Sequence, residues 1–478
     1  VDAFDTNDAY FGSPRDLERK LFLSFDGRND YATDVALVGG WQNASLMAWV
    51  NINSSFVSEG IIVGQDKLKL VIDNTKKLKV IANGTSLQYN NSLSDSQWIH
   101  VAAVYDGTNG LLNLYINGEK TNSTSISGTL NADSSLFTIG KNPISNTGYF
   151  KGKIDEVRLF NIALSDTQLQ KMVYQEIKTN SGQIRGEIIP KDIPSLPWAN
   201  LIRYFRMDNY KHDIIDNHTS ATIDTSVGAK IFNVKTIKYQ EAPMPFVTEQ
   251  SGNFATAVNS ITKEIRGLDT DDYDWSIIHA KHNITSVTRN IDLGLLIDPS
   301  INIIMQGDSN LQNDWYLKLD GKIDLQGKSQ LLQTTESDLD PSSAGVLERD
   351  QQGTGNKYNY NYWSSPVSSI ISTTENNTGF TIANTLKDGT DANNPQPILW
   401  IAGYDGASNP LKLAKFWLNK FTNLTPLYAN WQQINENSTL LVGQGFTMKG
   451  SGIATAPAIV LQNYVFSGKP NNGAINHT

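Results

Sequence analysis

Residues Trp98–Lys120 read WIHVAAVYDGTNGLLNLYINGEK. From Trp98 to Tyr105 the residues alternate, Asp106–Gly110 can turn, and Leu111–Ile116 alternates back, which predicts an antiparallel hairpin. Asn117-Gly118 supplies the next tight turn. Outward from this hairpin, Lys20 to Leu164 is a succession of short alternating runs broken by Asp-Gly, Asn-Gly and Gly-Lys. Strands at such regular spacing predict an all-β sandwich or jelly roll. A helical period enters only in LSDTQLQKMVYQEI, Leu164–Ile177, where Ser165 can cap and Leu169, Met172 and Val173 share a face.

At 478 residues the chain is long enough for several domains. We expect an extension over 1–19, a jelly roll over 20–175, a proline-bearing linker over 176–197, a bridging or degenerate β domain over 198–282, and a β-rich, truncated C-terminal region over 283–478. In that last region NIDLGLLIDPSINIIMQGDSNLQNDWYLKLDGKIDLQGKSQLLQ, Asn290–Gln333, is a chain of very short strands between Gly, Asp and Asn. Its fold is expected to be all-β, as a degenerate sandwich or a β-solenoid-like stack.

The formal net charge of −9 argues against a nucleic-acid partner, which needs clustered Lys and Arg. No apolar run reaches the 18 residues of a membrane-spanning helix. There is no Cys, so disulfides, thiolate metal sites and a cysteine nucleophile are excluded. Neither end has the features of a natural terminus, and a fragment of a larger or processed chain is expected.

LSFDGRNDYA (Leu23–Ala32), LMAWVNI (Leu46–Ile52), the Trp98 hairpin, LFTIGK (Leu136–Lys141) and FKGKIDEVRLFNIALS (Phe150–Ser165) together resemble a laminin-G-like, concanavalin-type jelly roll over residues 20–175. The resemblance implies two packed antiparallel sheets, with a loop rim or a concave face available to glycans. More loosely, YWSSPV (Tyr362–Val367), GQGFTMKGSG (Gly443–Gly452) and YVFSGKPNNG (Tyr464–Gly473) resemble large secreted surface proteins of Bacteroidota. That likeness implies type 9 secretion, a gliding-adhesin context and an outer-membrane or secretion-machinery partner.

The adjacent acids Asp155 and Glu156 invite a catalytic reading. In a regular strand Asp155 shares a face with Val157 and Leu159, while Glu156 joins Ile154 and Arg158. The carboxylates would then point apart, whereas glycoside hydrolysis needs two of them about 5–10 Å apart across one bond. Glu156 with Arg158 reads as a surface ion pair. An inward Asp155 needs a partner. The resemblance implies a structural Ca²⁺ shared with Asp26; the alternative is a carboxylate that accepts backbone N–H groups.

Two further acidic stretches, GLDTDDYDW (Gly267–Trp275) and DGTDANN (Asp388–Asn394), read as polar turns before they read as cation loops. The six His residues are scattered, with His279 and His282 three apart, too little for a zinc site. Trp41, Tyr89 and Tyr149 lie near expected turns and are the candidates for sugar contact, while Trp49 and Trp98 are expected in the core. No catalytic motif appears, so no enzyme is expected. The expectation is a non-enzymatic, extracellular or cell-surface binding or adhesin segment, with polysaccharide or cell-surface glycan as partner. The alternatives are an ancillary carbohydrate-binding region of a secreted polysaccharide-degrading enzyme and a purely structural display region.

Overall fold

The computed structural model describes residues 20–220, 227–258, 275–369, 379–421, 431–452 and 460–475. Among them the regular structure is almost all strand, and the chain divides into two compact units, the first running to Pro245 and the second built from 246–258 and 268–478.

The first unit is a sandwich of an eight-stranded and a nine-stranded sheet. The Trp98 hairpin forms as the alternation requires, with Trp98–Asp106 antiparallel to Leu111–Ile116. Trp98–Asp106 also pairs along its length with Asn43–Ile52, which in turn pairs with Lys151–Phe160. Alternation then divides the side chains by face. Leu46, Ala48, Val50, Ile99, Val101, Ala103, Leu112 and Leu114 enter the core between the sheets, where they meet Leu70, Ile72, Val80 and Ile139 of the other sheet. Burying such side chains is worth roughly 1.5–3 kcal/mol each for the larger ones, and this is the main force that closes the sandwich.

The outer face of the eight-stranded sheet is covered as well. Helix Asp166–Val173 carries the expected Ser165 cap, reinforced by Gln168 as a capping box. It lays Leu169, Met172 and Val173 into buried positions. The indole of Trp49 donates to the Val173 carbonyl (3.1 Å), so Trp49 is buried as expected, yet on the outer face of its sheet.

Two boundaries differ from expectation. The 176–197 span is not a linker: Ile177–Asn180, Gln183–Gly186 and Asp192–Pro197 form a three-stranded antiparallel sheet, anchored by buried Ile177, Ile184, Ile193 and Leu196. Its prolines sit at strand ends and edges, where a missing N–H does no harm. Nor is 198–282 one domain. Leu201–Phe205 pairs with the second half of Lys151–Phe160, Thr236–Tyr239 extends the same sheet beyond Leu21–Asp26, and Gly228–Phe232 joins the other sheet beside Tyr31–Asp34. These late strands supply edges that the first 175 residues leave open.

The second unit begins at Phe246 and is solenoid-like over 277–349. Its strands pair in parallel and alternate between two sheets. Phe246, Ile278, Leu295, Leu317 and Leu339 stack in register on one sheet, and Ile284, Ile303, Ile323 and Leu347 on the other. All nine are buried. The unit continues antiparallel through Val346–Thr354 against Leu461–Pro470, and carries a separate four-stranded sheet in the order Tyr360–Trp363, Phe446–Lys449, Asn419–Phe421, Trp431–Gln433.

Candidate functional site: the loop rim of the jelly roll

Asp155 and Glu156 lie within strand Lys151–Phe160, where the strand changes neighbours from Leu21–Asp26 to Leu201–Phe205. The pairing with Asn43–Ile52 slips between Asp155 and Arg158, and Glu156 takes φ +53°. This is a β-bulge: one extra residue resets the alternation. Ile154 and Val157 both face the core, and the two acids are left together on the outer side. The expected opposition of the two carboxylates is therefore overturned, and so is the surface location of Glu156, which is 1% exposed.

The outer side at this point is a buried charge network. Arg158 donates to Glu156 Oε2 (2.6 Å), to the Met172 carbonyl (2.7 Å) and to the Gln175 carbonyl (2.8 Å), so it neutralises Glu156 and caps the helix C-terminus together. Tyr204 donates to the same Glu156 oxygen (2.7 Å). Arg206 pairs with Glu176 and, at 3.1 Å, with Asp208. Among the described residues Asp155 has no cation; it accepts from the Glu156 N–H (2.9 Å) and from Gln240 (2.8 Å). Burial, then the charges of Glu156 and Asp208, push its pKa well above the usual carboxylate range. Burial also pushes Glu156 up, against the opposing pull of Arg158. A pair sealed under a helix, with Glu156 tied to Arg158 and Asp155 held by the backbone and Gln240, holds a sheet junction together; it cannot flank a sugar.

The open ground is at the rim. The loops after Asn43–Ile52, between Leu68–Ile72 and Leu78–Ala82, and before Trp98–Asp106 enclose a cleft of about 600 Å³, lined by Ser54, Phe56, Asn74, Lys76, Ser94, Asp95 and Gln97 among others. Phe56 forms the floor, 2% exposed and 5.9 Å from the Phe150 ring. Gly60 permits this, because a Cβ there would stand 2.9 Å from the Phe56 ring. Lys76 joins the three loops: its ammonium donates to the Ser54 carbonyl (3.0 Å) and pairs with Asp95. The side chains of Asn74, Ser94 and Gln97 form no hydrogen bond within the described residues and are free for a ligand.

Residues 26–170 match a family model described as the concanavalin A-like lectin/glucanases superfamily, laminin G type. This stretch is a concanavalin A-like domain. Among solved structures, a provisionally assigned carbohydrate-binding protein from Bacteroides ovatus is 21% identical, with 48% of this chain and 62% of that one covered and a TM-score of 0.38. A heptameric pentraxin from Limulus polyphemus is 15% identical over 41% of this chain and 96% of its own, with a TM-score of 0.29. Domain 4 of an extracellular arabinanase from Geobacillus stearothermophilus, crystallised with arabinotriose, is 20% identical over 32% and 76%, with a TM-score of 0.27. This chain thus spans less than two thirds of the Bacteroides protein. A comparison with curated proteins gives no match.

In the concanavalin-like domain the proposed calcium pair does not converge. Asp26 stands opposite Lys151, four residues along the strand from Asp155. It is exposed, and its carboxylate accepts from the Arg28 N–H of its own turn (2.7 Å). Both Asp155 oxygens already accept N–H groups, which is the backbone-clamp alternative with Gln240 added. Among the described residues no group of three or more His, Asp and Glu is placed to hold a metal. Of the secondary candidates, Asp388 and Asp391 cap their own turns, and His279 pairs with Asp298 while His282 bonds Thr248. The Gly267–Asp274 part of GLDTDDYDW lies outside the described residues.

The three aromatic candidates are scattered. Trp41 and Tyr89 pack against the sandwich core from different loops. Tyr149 lies on the open face of the nine-stranded sheet, 6.3 Å from Tyr31, which itself stacks on Phe232 at 4.6 Å and 12°. Lys141 covers the Tyr31 ring and Lys230 the Phe232 ring, so these rings satisfy one another. The rim residues escaped sequence reading because Ser, Asn and Gln in loops carry no periodic signal. The nearest signal in the sequence is the short basic cluster of Lys76, Lys77 and Lys79, which marks a solvated strand edge as readily as a site.

Proposed function

We propose that the concanavalin A-like domain is a non-catalytic glycan-binding module of an extracellular or cell-surface protein, and that it binds at the rim cleft. The observation that carries this reading is the cleft itself: an apolar floor at Phe56 beside the side chains of Asn74, Ser94 and Gln97, which have no hydrogen-bond partner among the described residues, with the Lys76–Asp95 pair as the one ion pair described in its lining. Such groups suit a ligand rich in hydroxyls, and three loops tied by one lysine give a pre-organised wall. The adjacent carboxylates Asp155 and Glu156 are buried, the first held by the backbone and Gln240 and the second by Arg158, which supports binding without hydrolysis.

A glycan array probed with the full chain, and with the Asn74→Ala/Gln97→Ala variant, tests the proposal. We expect a defined set of glycans to be bound and the variant to bind them at least tenfold more weakly with an unchanged melting temperature. An array without a bound glycan, or a variant that binds as the parent does, overturns it.

A further inference from the structure

In the second unit, the four-stranded sheet has one face turned inward, with Met448, Leu418 and Phe446 buried. Register assigns the other face. Tyr362 stands beside Thr447, which stands beside Asn419 and then Gln433; Phe421 stands beside Trp431. Continuing the alternation, Ser364 and Gly445 fall in the Phe421–Trp431 row, while Tyr360, Lys449 and Trp417 form the row on the far side.

Five aromatic rings thus share one face with small and neutral polar groups. Tyr362 is 67% exposed and Trp431 38%. Tyr362, Phe421 and Trp431 wall a cleft of about 240 Å³, with Gly445 and Ser364 also in its lining. The rings meet edge to face, Phe421 to Trp431 at 5.3 Å and 67°, and Tyr362 to Trp431 at 6.4 Å and 62°, which leaves ring faces open. This contrasts with the Tyr360–Trp417 row, where the Lys449 ammonium lies 3.5 Å from the Trp417 centroid. It contrasts also with the Tyr31–Phe232 stack of the first unit. The Ser364 hydroxyl is buried without a hydrogen-bond partner among the described residues and borders the cleft. A buried hydroxyl left unpaired costs free energy that a ligand hydroxyl would recover.

We propose that this face is a second carbohydrate-binding site, a platform for a neutral, chain-like polysaccharide. Pyranose rings stack through their C–H faces on Trp431 and Tyr362 across the Gly445 floor, and sugar hydroxyls meet Ser364, Asn419 and Gln433. Charge selects the class: of the positions on this face only Lys449 is ionised, and its ammonium is already engaged by two rings. An acidic glycan or a charged peptide therefore finds no counter-charge here, whereas exposed aromatic surface beside neutral amides suits sugar.

The test uses the full chain carrying Asn74→Ala/Gln97→Ala, so that the rim cleft does not contribute. Affinity electrophoresis is run in gels containing mixed-linkage β-glucan, β-mannan or β-xylan. Retardation by at least one polymer is expected. Trp431→Ala should weaken it at least tenfold, and so should Gly445→Leu. The second variant keeps every ring and fills the cleft, and it should fold, because a Cβ at Gly445 would have its nearest neighbour at 3.7 Å. The proposal is overturned if none of the three polymers retards the chain, if a folded Gly445→Leu chain is retarded as its parent is, or if a polyproline peptide binds the face and the polymers do not.

Discussion

The two units cover their sheets by opposite means. In the first, the outer face of the eight-stranded sheet carries a helix bonded by Arg158 and the buried pairs Arg158–Glu156 and Arg206–Glu176. In the second, the coils are closed by ladders of like apolar residues, Leu295 on Leu317 on Leu339. The difference separates specificity from bulk cohesion. A buried ion pair contributes little net stability relative to an apolar pair of the same volume, but removing one partner strands a charge. A ladder loses only what each rung buries.

The largest expected effect follows from that asymmetry. Arg158→Met leaves Glu156 without its closest cation and the helix without its C-terminal donor, and should destabilise the first unit by about 4 kcal/mol. Calorimetry should show a lowered transition, and the double variant Glu156→Leu/Arg158→Met should recover a large part of the loss. A single variant as stable as the parent would mean that Arg206 carries Glu156 alone. In the solenoid, Leu317→Ala should cost about 3 kcal/mol. Because each coil contacts only its neighbours, hydrogen exchange should speed most at Leu295 and Leu339. Uniform acceleration across the unit would show that the ladders act as one cooperative block.

Asp155 sharpens the contrast within the charge network itself. Its pKa is raised in the folded chain, so the protonated form is favoured there, and the stability it confers is complete below the unfolded carboxylate value of about 4 and is lost as pH rises through the folded value. Asp155→Asn retains an acceptor for the Glu156 N–H and never ionises. The variant should melt with the parent below about pH 4 and above it at pH 7–8. Lower stability than the parent at pH 7 would show that the carboxylate works as an anion in this site.

These contrasts also explain which parts of the fold the sequence discloses. The Trp98 hairpin and the Ser165-capped helix are local: alternation and a capping residue dictate them within a few positions, and they form as read. The bulge at Glu156 is not local. Nothing in KIDEVRL marks an extra residue, since it arises where one strand exchanges Leu21–Asp26 for Leu201–Phe205, and the second partner lies far along the chain. One slipped residue reverses every later facing assignment, which is why Asp155 and Glu156 were expected on opposite faces. The solenoid rungs could be suspected from their short strands, but the steps of 17, 22 and 22 residues from Ile278 to Leu339 on one sheet and of 19, 20 and 24 from Ile284 to Leu347 on the other follow no strict period, which hides their alignment. Of the site, only the aromatic composition could be read. Loop convergence at the rim and the row of rings from Tyr360 to Trp431 depend on pairings between distant segments.

The smallest effect on stability is expected where the first unit meets solvent, and it separates a wall from a strut. Lys76 is half-buried and Asp95 exposed, so the pair itself should be worth less than about 1 kcal/mol. Yet the same ammonium also holds the Ser54 carbonyl, and through it three loops keep one shape around the Phe56 floor. Lys76→Gln should therefore leave the melting temperature nearly unchanged while weakening glycan binding at the rim several-fold, with the second unit's binding to neutral polymers unaltered. Equal losses at both sites would trace them to something other than the rim. Unchanged binding at both would make the lysine a surface charge like any other, and the preformed geometry of the cleft would rest on its backbone alone: on the Leu93 N–H bonded to the Lys76 carbonyl and the Ser96 N–H bonded to that of Ile52.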